Sequence, residues 1–359
     1  MNKYYNYPSL EYWGDGKDLG ASFSFNEEKL KLSESGKFLA DSRSARYLYT
    51  GFTDPKYKEY WESMGCIMEI REKEGQKWAF FAPKDVLEDP EKKLPVLMIF
   101  RPFDYYAMVF YRTFFEMAAQ GEFIAMVYSS ESPEVNEVYE KMLDEVIEEF
   151  HADPTRVYVT GHSHYGGLAM EFGYRHRQRI AGIAQMADEA GIIRKLNPAN
   201  ADRLEMMHNY DMPLINIGGT TDFCGIYPVN QDINDIPNRE RMESHGFLLK
   251  RDDRIESWQH RMYAMNCRVP TYEEIANAGK TAAERAFGYP ADHMISFYAE
   301  NVQHYIAQFY NVEGKQHFTT VAIDNFTHAT SHIMLELAWS FLRKFARDLD
   351  TQAVIETDY

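Results

Sequence analysis

Arg156-Val-Tyr-Val-Thr-Gly-His-Ser163-His-Tyr-Gly-Gly167 decides the reading of this chain. An apolar run, Val157 to Thr160, ends in a Gly-x-Ser turn and passes straight into a helix-like stretch, Leu168 to His176. A strand-to-helix turn of that kind lifts a serine hydroxyl out of a sheet. It also sets a backbone N–H of the helix start beside the hydroxyl, where an oxyanion would develop. Gly161 relieves the crowding that such a turn creates. A serine hydroxyl is a weak nucleophile until a base takes its proton. Ser163 therefore requires an acid and then a histidine further along the chain, in that order.

Working outward, the same alternation of strand and helix extends on both sides. Cys66 to Arg71 and Trp78 to Pro83, around Glu74-Gly75, read as a β-hairpin. Val96–Phe100 and Phe123–Tyr128 are continuous apolar runs of the kind buried in parallel sheets. Tyr106 to Gln120 reads as a helix. A second helix opens at Ser132-Pro133 and carries Val135, Val138, Tyr139, Met142, Val146, Ile147 and Phe150 on one face. After the serine come a helix over about 164–177, strands at Ile180–Met186 and Pro213–Ile217, late strands at Tyr305–Tyr310 and Phe318–Ile323, and a final helix from about Ser331 to Ala346. This predicts an α/β protein with one doubly wound, mostly parallel sheet and helices on both faces. Residues 1–60 read as an arm or extension and 61–350 as the main domain. The polar, turn-rich stretch 229–295 is an insertion before the last strands. Its Phe247, Leu248, Leu249, Trp258, Tyr263 and Met265 would suit either a lid over a pocket or an ordinary packed excursion.

Composition narrows the function. With 359 residues and 45% apolar side chains the chain can bury a large core. A formal net charge of -17 repels phosphate backbones and disfavours nucleic acid as a partner. No apolar run approaches the roughly 18 residues of a membrane span, so no membrane partner is expected. The first residues lack the apolar stretch of a signal peptide, which makes a cytoplasmic protein the expectation; a mature chain that had lost a signal would read the same. Cys66, Cys224 and Cys267 are widely spaced, with no CxxC pattern, and read as reduced, partly buried thiols.

The remaining site residues follow from the fold. Ligands of such sheets lie beyond the carboxyl ends of the strands. Asp222 stands there, after Ile215-Asn-Ile-Gly-Gly-Thr-Thr, as the acid that would orient the base; Asp188, after the preceding strand, is its rival. His328 follows the last strand and is placed to act as general base and then acid, with His332 as the alternative inside the final helix. His162 and His164 flank the serine without a third ligand of metal-binding spacing. His164 is the candidate for one oxyanion N–H. The second donor is sought in Arg101-Pro-Phe-Asp-Tyr-Tyr106, where Pro102 has no N–H to give. That leaves Phe103 by its backbone, or Tyr105 or Tyr106 by a phenolic hydroxyl, each of which could equally be a pocket wall.

At these residues the chain resembles the α/β-hydrolase superfamily and, within it, the esterases that include polyhydroxybutyrate depolymerases and feruloyl esterases. The likeness rests on Asp153-Pro-Thr-Arg-Val-Tyr-Val-Thr-Gly-His-Ser163, Arg179-Ile-Ala-Gly-Ile-Ala184, Gly219-Thr-Thr-Asp222 with Tyr227-Pro228, Met265-Asn-Cys267 and Thr327-His328, together spanning about residues 65–346. The resemblance implies a serine esterase with nucleophile, acid and base at Ser163, Asp222 and His328, acting on a small-molecule ester without a cofactor. A peptidase or amidase on the same triad, or a silent binding protein of the same fold, would carry the same residues; a homo-oligomer is compatible with either. Two departures stand out. The family turn is Gly-x-Ser-x-Gly, where this chain has Tyr165, a ring that must pack beside the strand or enter the pocket. The family has His-Gly after its third strand, where this chain has Arg101-Pro102.

Overall fold

The computed structural model describes residues 59–357 except 60, 90, 102–110, 129–135, 188–203, 223–226, 236–238, 245–248, 300–301 and 327. The extension proposed for residues 1–60 falls almost wholly outside the described residues. So do Phe103, Tyr105, Tyr106, Asp188, Cys224, Phe247 and Leu248.

A ten-stranded sheet organises the chain, in the order β1-β2-β4-β3-β5-β6-β7-β10-β9-β8. The hairpin β1 (Cys66–Lys73) and β2 (Gln76–Pro83) forms one antiparallel edge. The six central strands run parallel: β4 (Ile124–Tyr128), β3 (Val96–Phe100), β5 (Val157–His162), β6 (Gly182–Met186), β7 (Leu214–Gly219) and β10 (Phe318–Ile323). The antiparallel pair β9 (Val302–Phe309) and β8 (His293–Ala299) closes the other edge. Every residue of β3, β4, β5, β6, β7 and β10 is buried, which explains why these strands read as unbroken apolar runs rather than alternating ones.

Burial on both faces sorts the side chains by the two-residue period of a strand. Val96, Met98 and Phe100 join one core cluster with Val157, Val159, Phe318 and Ala322. Leu97 and Ile99 join the other with Tyr158, Val321 and Ile323. Helices α2 (Asn136–Phe150) and α3 (His164–Arg175) cover the first face through Val138, Tyr139, Met142, Val146, Ala169 and Phe172. Helix α1 (Arg112–Ala119) covers the second through Phe114, Phe115 and Met117. The insertion contributes α4 (Arg239–Ser244), α5 (Arg251–Ala264), α6 (Tyr272–Ala276) and α7 (Ala282–Phe287). Trp258 of α5 stacks on Tyr289 at 3.8 Å and meets Phe309 and Phe318. Because Phe318 begins β10, this contact lies at the amino end of the strand.

Three boundaries differ from the sequence reading. β8 starts inside the expected insertion, 229–295, and runs past its end, because an exposed edge strand has no buried run to announce it; every one of its residues is exposed or intermediate. The final helix, α8 (His332–Leu342), ends earlier than expected, and Phe345–Arg347 forms β11, paired with β12 (Val354–Glu356). Tertiary bonds override helix propensity there. The buried Arg347 donates from Nε to Ile180 O, from Nη1 to Gln352 O and from Nη2 to Asp211 O, which pins β11 beneath the sheet. The helix expected over Tyr106 to Gln120 differs at Tyr111, which precedes the first residue of α1, Arg112; residues 102–110 lie outside the described residues.

Candidate active site

β5 delivers Ser163 and α3 carries the chain away from it. Ser163 has φ 59° and ψ -137°, a left-handed conformation that side chains rarely adopt and that a strained strand-to-helix turn demands. Its N–H donates to Met186 O at 2.8 Å on the neighbouring strand, and its carbonyl accepts from Gly166 N at 2.8 Å. Gly161 makes the turn possible. A Cβ at that position would stand 2.2 Å from Tyr165 O and 2.4 Å from Tyr165 C. The tyrosine two residues after the serine thus leaves the turn intact, since it is its backbone that crosses Gly161.

The acid loop follows β7. Asp222 N donates to Gly219 O at 3.1 Å, and the carboxylate is buried. Five residues on, Tyr227 donates to Asn216 Oδ1 at 3.1 Å, and Asn216 donates to Gln185 Oε1 at 3.0 Å, tying this loop to β7 and β6 through buried polar groups. The histidine loop follows β10 and is laced to the acid loop. Thr220 N donates to Ile323 O, Thr221 N and Oγ1 to Phe326 O, and Asn325 N to Thr220 Oγ1. Gly219 allows this crossing: a Cβ there would fall 2.0 Å from Phe326 O.

These supports bring the three predicted side chains into one hydrogen-bonded row. His328 Nε2 is 2.8 Å from Ser163 Oγ. His328 Nδ1 is 2.9 Å and 3.2 Å from the two carboxylate oxygens of Asp222. The carboxylate needs a proton on Nδ1, which leaves Nε2 as an acceptor for the serine hydroxyl. Burial grades outward, from buried Asp222 and His328 to half-buried Ser163. The alternative histidine, His332, opens α8 instead and is buried.

One flanking residue, His162, has a place beside the row that its position in the sequence does not announce. His162 packs its buried ring 4.7 Å from that of His328. Burial, then the proximity of His328 and Arg101, holds its imidazole well below the usual range, so it stays neutral. His164 is exposed as the first residue of α3, so the two histidines beside the serine point into different surroundings. Arg101, at the end of β3, is buried and sets its guanidinium 5.1 Å from the Tyr165 ring. No sequence signal announces that contact, because it joins the residue after β3 to the first turn of α3, segments far apart in the chain.

No protein-family model matches the sequence, and no curated protein is significantly similar to it. Solved structures are similar to it at low identity. A ferulic acid esterase aligns at 17% identity over 57% of this chain and 86% of its own, with a TM-score of 0.37. Est1E from Butyrivibrio proteoclasticus aligns at 11% identity over 77% of this chain and 96% of its own, with a TM-score of 0.38. A feruloyl esterase module from Clostridium thermocellum, solved with sinapinate, aligns at 10% identity over 77% of this chain and 86% of its own, with a TM-score of 0.42. The strand order, the strained turn at Ser163, the acid loop after β7 and the histidine loop after β10 together make this an α/β-hydrolase fold.

Proposed function

We propose that the protein is a serine hydrolase that cleaves carboxylic esters of small molecules through an acyl-enzyme. The observation that carries this reading is the row Asp222–His328–Ser163, closed at 2.9 Å and 2.8 Å. Ser163 Oγ attacks the ester carbonyl while His328 Nε2 takes the hydroxyl proton. Asp222, buried beside the Nδ1–H, keeps the ring in the right tautomer and stabilises the imidazolium. The carbonyl oxygen, now an oxyanion, is held by the N–H of His164 at the positive end of α3. His328 returns its proton to the leaving alcohol as the tetrahedral centre collapses. Water, deprotonated by the same nitrogen, then attacks the acyl-enzyme, releases the carboxylic acid and restores the serine.

A panel of p-nitrophenyl esters beside aminoacyl p-nitroanilides tests the proposal. The esters should turn over faster than the anilides, and Ser163→Ala should lower ester kcat/KM by at least about 1,000-fold without unfolding the protein. Faster anilide cleavage would assign an amidase instead. Full ester activity in Ser163→Ala would remove Ser163 from the reaction.

A further inference from the structure

His162 is a buried polar residue to which the reaction above gives no task. It ends β5, immediately before the nucleophile. The two-residue period of the strand puts its side chain on the same face as Tyr158. The core cluster of that face also holds Phe326 and Ala329 of the histidine loop. Its neighbour across the sheet, Met186, belongs to the same cluster. From there its ring meets that of His328, with centroids 4.7 Å apart and planes inclined by 48°. The backbone of Ala329, the residue after His328, acts on the same imidazole and favours its protonated form. Burial, His328 and Arg101 outweigh it, and the ring stays neutral.

From this contact we infer that His162 is a positioning residue, a ring that fixes the tilt of the His328 imidazole during proton transfer. The inference rests on the serine-hydrolase reading above. His328 is held at its two ends, by Asp222 at Nδ1 and by Ser163 at Nε2. Two bonds so placed leave the ring one freedom, rotation about the line that joins them. That tilt decides where the Nε2 proton points as it passes from the serine to the leaving alcohol, and a hydrogen bond weakens steeply when misaligned. A second ring packed against the first removes the freedom. Placed on a strand, His162 holds its position more precisely than a loop residue would. Its neutrality belongs to the same task. His328 carries a positive charge once it has taken the serine proton, and a charge on the adjacent ring would oppose that step.

Three variants separate the ring from its polar atoms. His162→Ala removes both, His162→Gln keeps a polar group without a ring, and His162→Phe keeps a ring without polar atoms. On p-nitrophenyl butyrate, His162→Ala and His162→Gln should lower kcat by about 10- to 100-fold and change KM by less than about 3-fold, while His162→Phe should retain kcat to within about 5-fold. The rate of fluorophosphonate labelling, which needs no substrate, should follow the same order. Proton NMR supplies a readout that lost stability alone would not move. The low-field Nδ1–H signal of His328 should be sharp in the wild type and in His162→Phe, and broadened in the other two folded variants. Wild-type rates in His162→Gln, a loss in His162→Phe as large as in His162→Gln, or a fall in kcat with an unchanged low-field signal would each overturn the inference while leaving the serine hydrolase intact. If His162→Ala does not fold, the His162→Gln and His162→Phe pair decides the matter. No adduct on Ser163 of the wild type would remove the underlying reading and this inference with it.

Discussion

Replacing Gly161 by alanine probes the turn on which the site depends. The new Cβ would lie 2.2 Å from Tyr165 O, 2.4 Å from Tyr165 C and 2.8 Å from Gly166 N. All three are backbone atoms, so no side chain can swing aside. A carbon beside a carbonyl oxygen needs about 3.3 Å, so β5 and the first turn of α3 must part by about 1 Å. Ser163 sits between them, with its hydroxyl 2.8 Å from His328 Nε2. A misplacement of about 1 Å in a reacting group costs about 100-fold in rate, or about 2.7 kcal/mol. Overpacking of a filled interior costs a further 1–3 kcal/mol or so in stability. The assay is kcat/KM on p-nitrophenyl butyrate well below the unfolding temperature, with urea unfolding of the same samples. Gly161→Ala with wild-type kcat/KM and an unchanged urea midpoint would refute the geometry argued for the turn.

Other perturbations reach the remaining parts of the account. Asp222→Asn would present an amide N–H to His328 Nδ1 and favour the tautomer whose proton blocks Nε2; kcat should fall about 10,000-fold, roughly 5.5 kcal/mol, with little change in KM. His304 and His332 are held down to about 4, by burial in the first case and by burial and then His304 in the second. Depressed folded values mean that the unfolded chain takes up protons first as pH falls. Their contribution is whole above about pH 6.5 and is lost between there and about pH 4, at most about 3 kcal/mol for each. Urea midpoints measured from pH 7.5 to 4.5 should fall steeply in the wild type and less so in His332→Leu; parallel profiles would refute the assignment.

Much of this was legible in the sequence because the relevant signals are local. Six buried parallel strands announce themselves as apolar runs, and Gly161-His-Ser163 marks the turn because an apolar strand precedes it and a helix-like stretch follows. The order Ser163, Asp222, His328 then follows from where loops leave a sheet of this kind. What escaped depends on contacts between distant segments. Gly219 matters because Phe326 O crosses it, and Thr220 and Thr221 matter because they bond the histidine loop. Nothing within those short stretches states either fact. The start of β11 falls within the expected final helix, Ser331 to Ala346, because the bonds that fix it, from Arg347 to Ile180 and Asp211, come from far along the chain. The edge strand β8 escapes because none of its residues is buried and no apolar face repeats along it.

The central claim is that Ser163 is a nucleophile made reactive by His328. Intact-mass measurement of the protein treated with a fluorophosphonate tests it most directly. The account predicts one adduct per chain, mapped to Ser163, absent in Ser163→Ala and formed at least about 100-fold more slowly in His328→Ala. No adduct on the folded wild type, or undiminished labelling of His328→Ala, would contradict it.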